Sequence, residues 1–166
     1  MSVFDLSRFF KRRNEPETEP GVSLDESSEN KHEWLTPEPG TTILIVDDSR
    51  TIHAVLKRQL AGQGYTCISA YDGEGGVELA RSHLPALILM DVVMPNLNGF
   101  QATREIRKDD NPHIAEIPVI IMSGNAQPSE EVWSVKIKAN AFIAKPFGEE
   151  ELFGNIERLL YPHVSA

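Results

Sequence analysis

The sequence predicts a doubly wound α/β domain, a (βα)5 parallel sheet covered by helices on both faces. Two observations carry that prediction. Short runs at Ile43–Val46, Ala86–Met90 and Pro118–Met122 are apolar at successive positions and rich in β-branched residues. A strand with one wet face alternates, whereas a strand covered on both faces reads as a continuous apolar run. Between these runs lie stripes of helical period, so strand and helix alternate along the chain. Short right-handed crossovers then lay the strands side by side in parallel.

The elements follow in order. Residues 14–40 carry eight acids against Lys31, with Pro16, Pro20, Pro37 and Pro39 and few apolar groups. Such a stretch cannot bury enough surface to offset its ordering entropy and repels itself, so residues 1–40 are expected to be a disordered arm. Within it, SVFDLSRFFKRR places Val3, Leu6 and Phe10 on one helical face, with Arg8, Lys11 and Arg12 largely opposite. Residues 2–13 are therefore a candidate short amphipathic helix, suited to a partner's groove or weakly to a membrane surface. Trp34-Leu35 stands out in the polar stretch as a candidate contact motif.

The folded domain is expected over 41–161. After the first strand, Ser49 can cap a helix whose stripe is Ile52, Val55, Leu56 and Leu60. Tyr65–Ala70 is a less apolar strand suited to an edge. Val77, Ala80 and Leu84 form the second stripe, weakened by Gly75 and Gly76 at roughly 1 kcal/mol each relative to Ala. Phe100, Thr103 and Ile106 form the third, and Val132 and Val135 suggest the fourth. Ala141–Ala144 is the second edge strand. Leu152, Ile156, Leu159 and Leu160 form the last helix, stopped near Pro162, and residues 162–166 are a tail.

Composition narrows the function classes. The 166 residues hold 16 Lys+Arg against 25 Asp+Glu, a net charge of −9. Nucleic acid is thus not an expected partner, since neutralising phosphates needs a basic surface. Cys67 has no second cysteine to pair with, which fits a reducing compartment. No apolar run approaches the roughly 18–20 residues of a transmembrane helix. A soluble, cytoplasmic protein is expected.

In an open α/β sheet, ligands bind outside the carboxyl ends of the strands. The residues closing those strands are Asp47-Asp48, Asp91, Ser123 and Lys145-Pro146. Three carboxylates gathered at one edge repel one another and call for a cation. Hard oxygen ligands suit Mg²⁺, which retains waters and phosphate oxygens in its shell. Such a site allows a phosphoryl group to approach Asp91 as nucleophile, with Lys145 and Ser123 holding the other phosphoryl oxygens.

Asp47-Asp48, DVVMP at 91–95, Ser123 and KPF at 145–147 resemble the signature of the response-regulator receiver domain of two-component signalling. The resemblance covers about 41–161 with the spacings in order. NGFQATR and PVII, with a Trp in the fourth-helix region, are most similar to single-domain regulators of twitching-motility and chemotaxis-type pathways. It implies a flavodoxin-like sheet of strand order 2-1-3-4-5. It also implies that Asp91 accepts a phosphoryl group from a histidine kinase. Asp48, Asp91 and the Val93 backbone carbonyl would ligate Mg²⁺, Asp47 contributing directly or through water. Lys145 would pair with the phosphoryl oxygens, Ser123 and Phe142 would be the switch residues, and Pro146 is the candidate cis-proline. The output would be a protein contact through the face of the fourth helix, fifth strand and fifth helix, since few residues follow the last helix. Residues 2–13 would be available to a docking partner.

This chain departs from the family pattern at several points. The switch hydroxyl is Ser123 rather than the commoner Thr, and Phe142 lacks a Tyr hydroxyl. Val93 and Asn125 occupy positions that tune dephosphorylation, and Val93 cannot position an attacking water, so a long-lived phosphoryl group is expected. His32, His53, His83, His113 and His163 show no ligand spacing and are read as surface or structural. Gly73, Gly75 and Gly76 do not follow the first strand and are not a phosphate loop. Two other classes compete. A Mg²⁺-dependent phosphohydrolase would place its paired acids two apart, whereas these are adjacent. An adaptor that signals without phosphorylation would not need the full set of Asp48, Asp91, Ser123 and Lys145. No separate enzymatic turnover is expected.

Overall fold

The structure, a computed structural model, describes residues 33–124, 129 and 131–164. The expectations for residues 2–13 and for Asn125 lie outside the described residues.

The elements are β1 (Thr42–Val46), α1 (Arg50–Gly62), β2 (Thr66–Ala70), α2 (Gly73–His83), β3 (Leu87–Asp91), α3 (Gly99–Arg107), α4 (Pro112–Ala115), β4 (Val119–Ser123), a π-helix (Glu131–Lys136), β5 (Ala141–Ala144) and α5 (Glu149–Leu160). The strands form one parallel sheet in the order β2-β1-β3-β4-β5. The two less apolar runs are the edges, as their composition requires. β3 and β4 are buried at every position.

Alternation within each strand feeds two separate cores. Leu44, Val46, Ile88, Met90 and Ile121 face α2 and α3, where Val77, Ala80, Ala102 and Ile106 meet them. Ile43, Ile45, Leu87, Leu89 and Ile120 face α1 and α5, against Leu56, Leu60, Leu152, Phe153 and Ile156. Each fully buried aliphatic side chain is worth about 1.5–3 kcal/mol. Together they pack the sheet on both faces up to its carboxyl edge. Gly76 serves the same packing: a Cβ there would lie 2.8 Å from Val46 Cγ1. The glycine that weakens α2 lets it close on β1 immediately before the acid pair.

Four local features depart from the sequence reading. Val132 and Val135 do not form an α-helical stripe, because the segment is a π-helix in which the Ile137 N–H donates to the Val132 carbonyl at 3.1 Å. That wider turn leaves Val135 exposed, while Val132 and Trp133 both pack against the core. Leu84 is not core but the α2 C-cap, half-exposed in the left-handed region at φ 47°. Val55 of the α1 stripe is exposed and borders a groove with Ile52, Leu56 and Phe147. α4 was unpredicted, although Asn111 caps it and Pro112 opens it. Both are start signals, but one turn is too short to show a period.

Residues 33–40, the end of the expected arm, pack on this body. The Trp34 ring lies 5.6 Å from that of Phe153, the Leu35 N–H donates to Glu157 Oε1, and Pro37 is buried.

Candidate functional site

The carboxyl ends of β1, β3, β4 and β5 bring the predicted residues to one edge. Asp47 follows β1 and continues its pairing, its N–H donating to the Ala70 carbonyl at 3.2 Å. Its Oδ1 accepts from the Ser49 N–H at 2.8 Å. Ser49 then caps α1, its side chain accepting from the Ile52 N–H. The turn is thereby locked, with Asp47 1% exposed and Asp48 turned outward. Asp91 closes β3 and is 6% exposed. Ser123 closes β4 and is buried, and its carbonyl accepts from the Lys145 N–H at 2.7 Å.

Lys145 spans the acids. Its Nζ donates to Asp47 Oδ2 at 2.7 Å and to Asp91 Oδ1 at 2.9 Å. The Lys145–Pro146 peptide bond is cis. Asp47, Asp48 and Asp91 each offer a carboxylate oxygen, and these lie within 4.8 Å of one another. Burial raises the Asp91 carboxyl above the usual carboxylate range, and the charges of Asp47 and Asp48 push the same way against the bond from Lys145. Burial works to lower Lys145, but its bonds to Asp47 and Asp91 hold it above its ordinary value. The ammonium is therefore fixed as a cation. Three carboxylates still outnumber it, and an all-oxygen donor set with surplus negative charge fits Mg²⁺.

The loop after β3 is drawn in tightly. The Gly99 N–H donates to the Val92 carbonyl at 3.0 Å, and a Cβ on Gly99 would fall 2.0 Å from the Asp91 carbonyl oxygen. Only glycine allows α3 to start there. Val93 projects outward, 61% exposed. Phe142 is buried with the α2–α3 core, opposite Ile121 in the β4–β5 register.

Of the two readings left open for His53, surface or structural, the structure shows the second. His53, 2% exposed, sits in the first turns of α1 with Nε2 at 2.8 Å from the Asp47 carbonyl and Nδ1 at 3.0 Å from Ser69 Oγ. Its spacing with Leu56 and Leu60 put it on the buried stripe, which was the available signal.

Residues 43–157 match the family described as "Response regulator receiver domain". The chain is 43% identical over 118 residues to protein PilH of Pseudomonas aeruginosa, covering 71% of this chain and 96% of that protein. It is 33% identical over 118 residues to the response regulator MprA of Mycobacterium ulcerans, covering 71% of this chain but 49% of that protein. Among solved structures it is similar to the Vibrio cholerae chemotaxis protein CheY4, at 26% identity and a TM-score of 0.66, covering 73% of this chain and 99% of that one. It is also similar to the receiver domain of the sensor histidine kinase PA1611 from Pseudomonas aeruginosa, at 31% identity and a TM-score of 0.65 over 73% and 98% of the two chains. That structure has a magnesium ion coordinated in the active site cleft.

Proposed function

The chain belongs to the response-regulator receiver family, and from that premise we propose that it is a phosphoacceptor whose Asp91 takes a phosphoryl group from a kinase phosphohistidine. The observation that carries the proposal is the bridging of Asp47 and Asp91 by Lys145 within a cluster of three carboxylates.

Asp48, Asp91 and the Val93 carbonyl would hold Mg²⁺, with Asp47 contributing directly or through water. When bound, the ion offsets the acids and the incoming phosphoryl charge. The remaining chemistry belongs to this chain. Lys145 holds Asp91 Oδ1, which leaves Oδ2 to attack phosphorus in line as the bond to the donor imidazole nitrogen breaks. The imidazole departs with the bonding pair, and Lys145 turns from the carboxylate to the new phosphoryl oxygens. Ser123, buried one strand away, supplies a hydroxyl to them. Its shift would make room for Phe142 to repack.

The switched surface would be the face built from the π-helix, β5 and α5, read by a downstream protein. The likeness to PilH favours a histidine kinase of the twitching-motility or chemotaxis type and a cytoplasmic setting. No helix among the described residues is long and apolar enough to cross a membrane. Residues 2–13 would provide a second docking element.

Beryllofluoride, which mimics an acyl phosphate, tests the pocket. It should bind only with Mg²⁺ present and not to Asp91→Asn. Binding that ignores Mg²⁺ or survives Asp91→Asn would sink the proposal. Turnover of a generic phosphate ester would instead support the phosphohydrolase.

A further inference from the structure

We propose that His53 is a positioning residue for the acid pair, holding the Asp47–Asp48 peptide so that both carboxylates point at the cation. The proposal rests on the reading that Asp47, Asp48 and Asp91 hold Mg²⁺.

The atoms of the contact fix its direction. A carbonyl oxygen only accepts, so the 2.8 Å contact to Asp47 requires the hydrogen on His53 Nε2. On the neutral ring Nδ1 is then the acceptor, and the Ser69 hydroxyl at 3.0 Å donates to it. One tautomer satisfies both ends. The carbonyl that His53 grips belongs to the peptide joining the two acids, so its plane sets the direction in which the outward-turned Asp48 leaves the chain. The Asp47 side chain is pinned separately by the Ser49 N–H and Lys145. Backbone and side chain of the turn thus have different anchors, and His53 is the backbone one.

The ring is also immobilised from outside. Tyr71, next to the end of β2, lies against it with centroids 4.4 Å apart, and the Arg50 guanidinium sits 5.2 Å over the Tyr71 ring. Filling the space between α1 and β2 needs only bulk. Bonds from both ring nitrogens, one of them to the peptide between two acids, serve orientation. Partners outside a metal's ligand shell that orient its ligands typically change affinity 10–100-fold when removed.

The test is Mg²⁺ binding to the full chain by calorimetry, with folding checked by circular dichroism. His53→Leu keeps bulk and loses both bonds, and its Mg²⁺ dissociation constant should rise about tenfold. His53→Gln keeps an N–H donor where Nε2 stands and should recover most of the affinity. His53→Asn reaches only the Ser69 side and should not. Leu56→Ala, a cavity variant on the same helix, should lower the melting temperature with no change in affinity. Equal affinity in His53→Leu and wild type would overturn the proposal, as would an equal loss in Leu56→Ala. If His53→Leu does not fold, the Gln and Asn variants decide, and identical affinities for those two would overturn it. Wild type and Asp48→Asn separate the two levels. Wild type without Mg²⁺ affinity defeats the metal reading itself. Affinity abolished by Asp48→Asn but indifferent to position 53 defeats His53 alone.

Discussion

Replacing Lys145 by Met removes an ammonium from between two buried carboxylates and keeps the bulk of the side chain. The contacts at 2.7 Å and 2.9 Å are charge-assisted hydrogen bonds, each worth about 1.5–3 kcal/mol. The Lys145 side chain is 21% exposed, so solvent screening takes roughly half of that. Repulsion among the three acids, no longer offset, adds to the loss. Without divalent cation the variant should be about 3 kcal/mol less stable, which for a domain of this size lowers the melting temperature by roughly 10 °C. The pH dependence has a definite sign. Burial and its acidic neighbours raise Asp91 in the folded state, so its share of stability is full below the ordinary carboxylate range and is lost as pH climbs through its raised value. Lys145 opposes that loss. The deficit of Lys145→Met should therefore be largest near neutral pH and narrow on acidification. Thermal melts in chelator and in Mg²⁺ across that range check all three statements. A drop under about 3 °C, or one indifferent to both pH and Mg²⁺, would refute the electrostatic account of the pocket.

Other perturbations test separate parts of the structure. Arg107 donates to the carbonyls of Lys138, Ala115 and Ile117 and to Asn140 Oδ1 at 2.8–2.9 Å; Arg107→Lys loses the fork and should cost about 3 kcal/mol in urea denaturation. Gly99→Ala forces a Cβ into the Asp91 carbonyl, so it should weaken Mg²⁺ binding as well as the fold, and unchanged calorimetry would contradict the tight β3–α3 turn. Val93→Asn places an amide beside the pocket where it can orient water, and should shorten the lifetime of the phosphoryl group. An unchanged or longer lifetime would count against the expectation that Val93 slows hydrolysis.

What the sequence made legible follows from range. β1, β3 and β4 could be read because both faces of each strand are buried, and no alternation interrupts the run. The acids and Lys145 could be placed because parallel strands share a carboxyl edge, whatever the details of the helices. Legibility ended where tertiary distance decides. Gly76 looked like a weak point in a helix until Val46 was found beneath it. Valines three apart at 132 and 135 fit an α-helical face, and nothing local distinguishes that from the wider π turn. Leu84 continued the α2 period but fell on the residue that ends the helix. His53 lay on the buried stripe of α1, and its bond to Asp47 depends on how that helix leaves β1.

Whether Asp91 is the phosphoacceptor can be tested on the full chain. The most direct measurement is labelling of the full chain by a small phosphodonor such as acetyl phosphate, with Mg²⁺ and with chelator, mapped by peptide mass after borohydride trapping. One phosphoryl group is expected on the peptide carrying Asp91, absent in chelator and absent in Asp91→Asn. Labelling that persists in Asp91→Asn, or none in wild type with Mg²⁺, would contradict it.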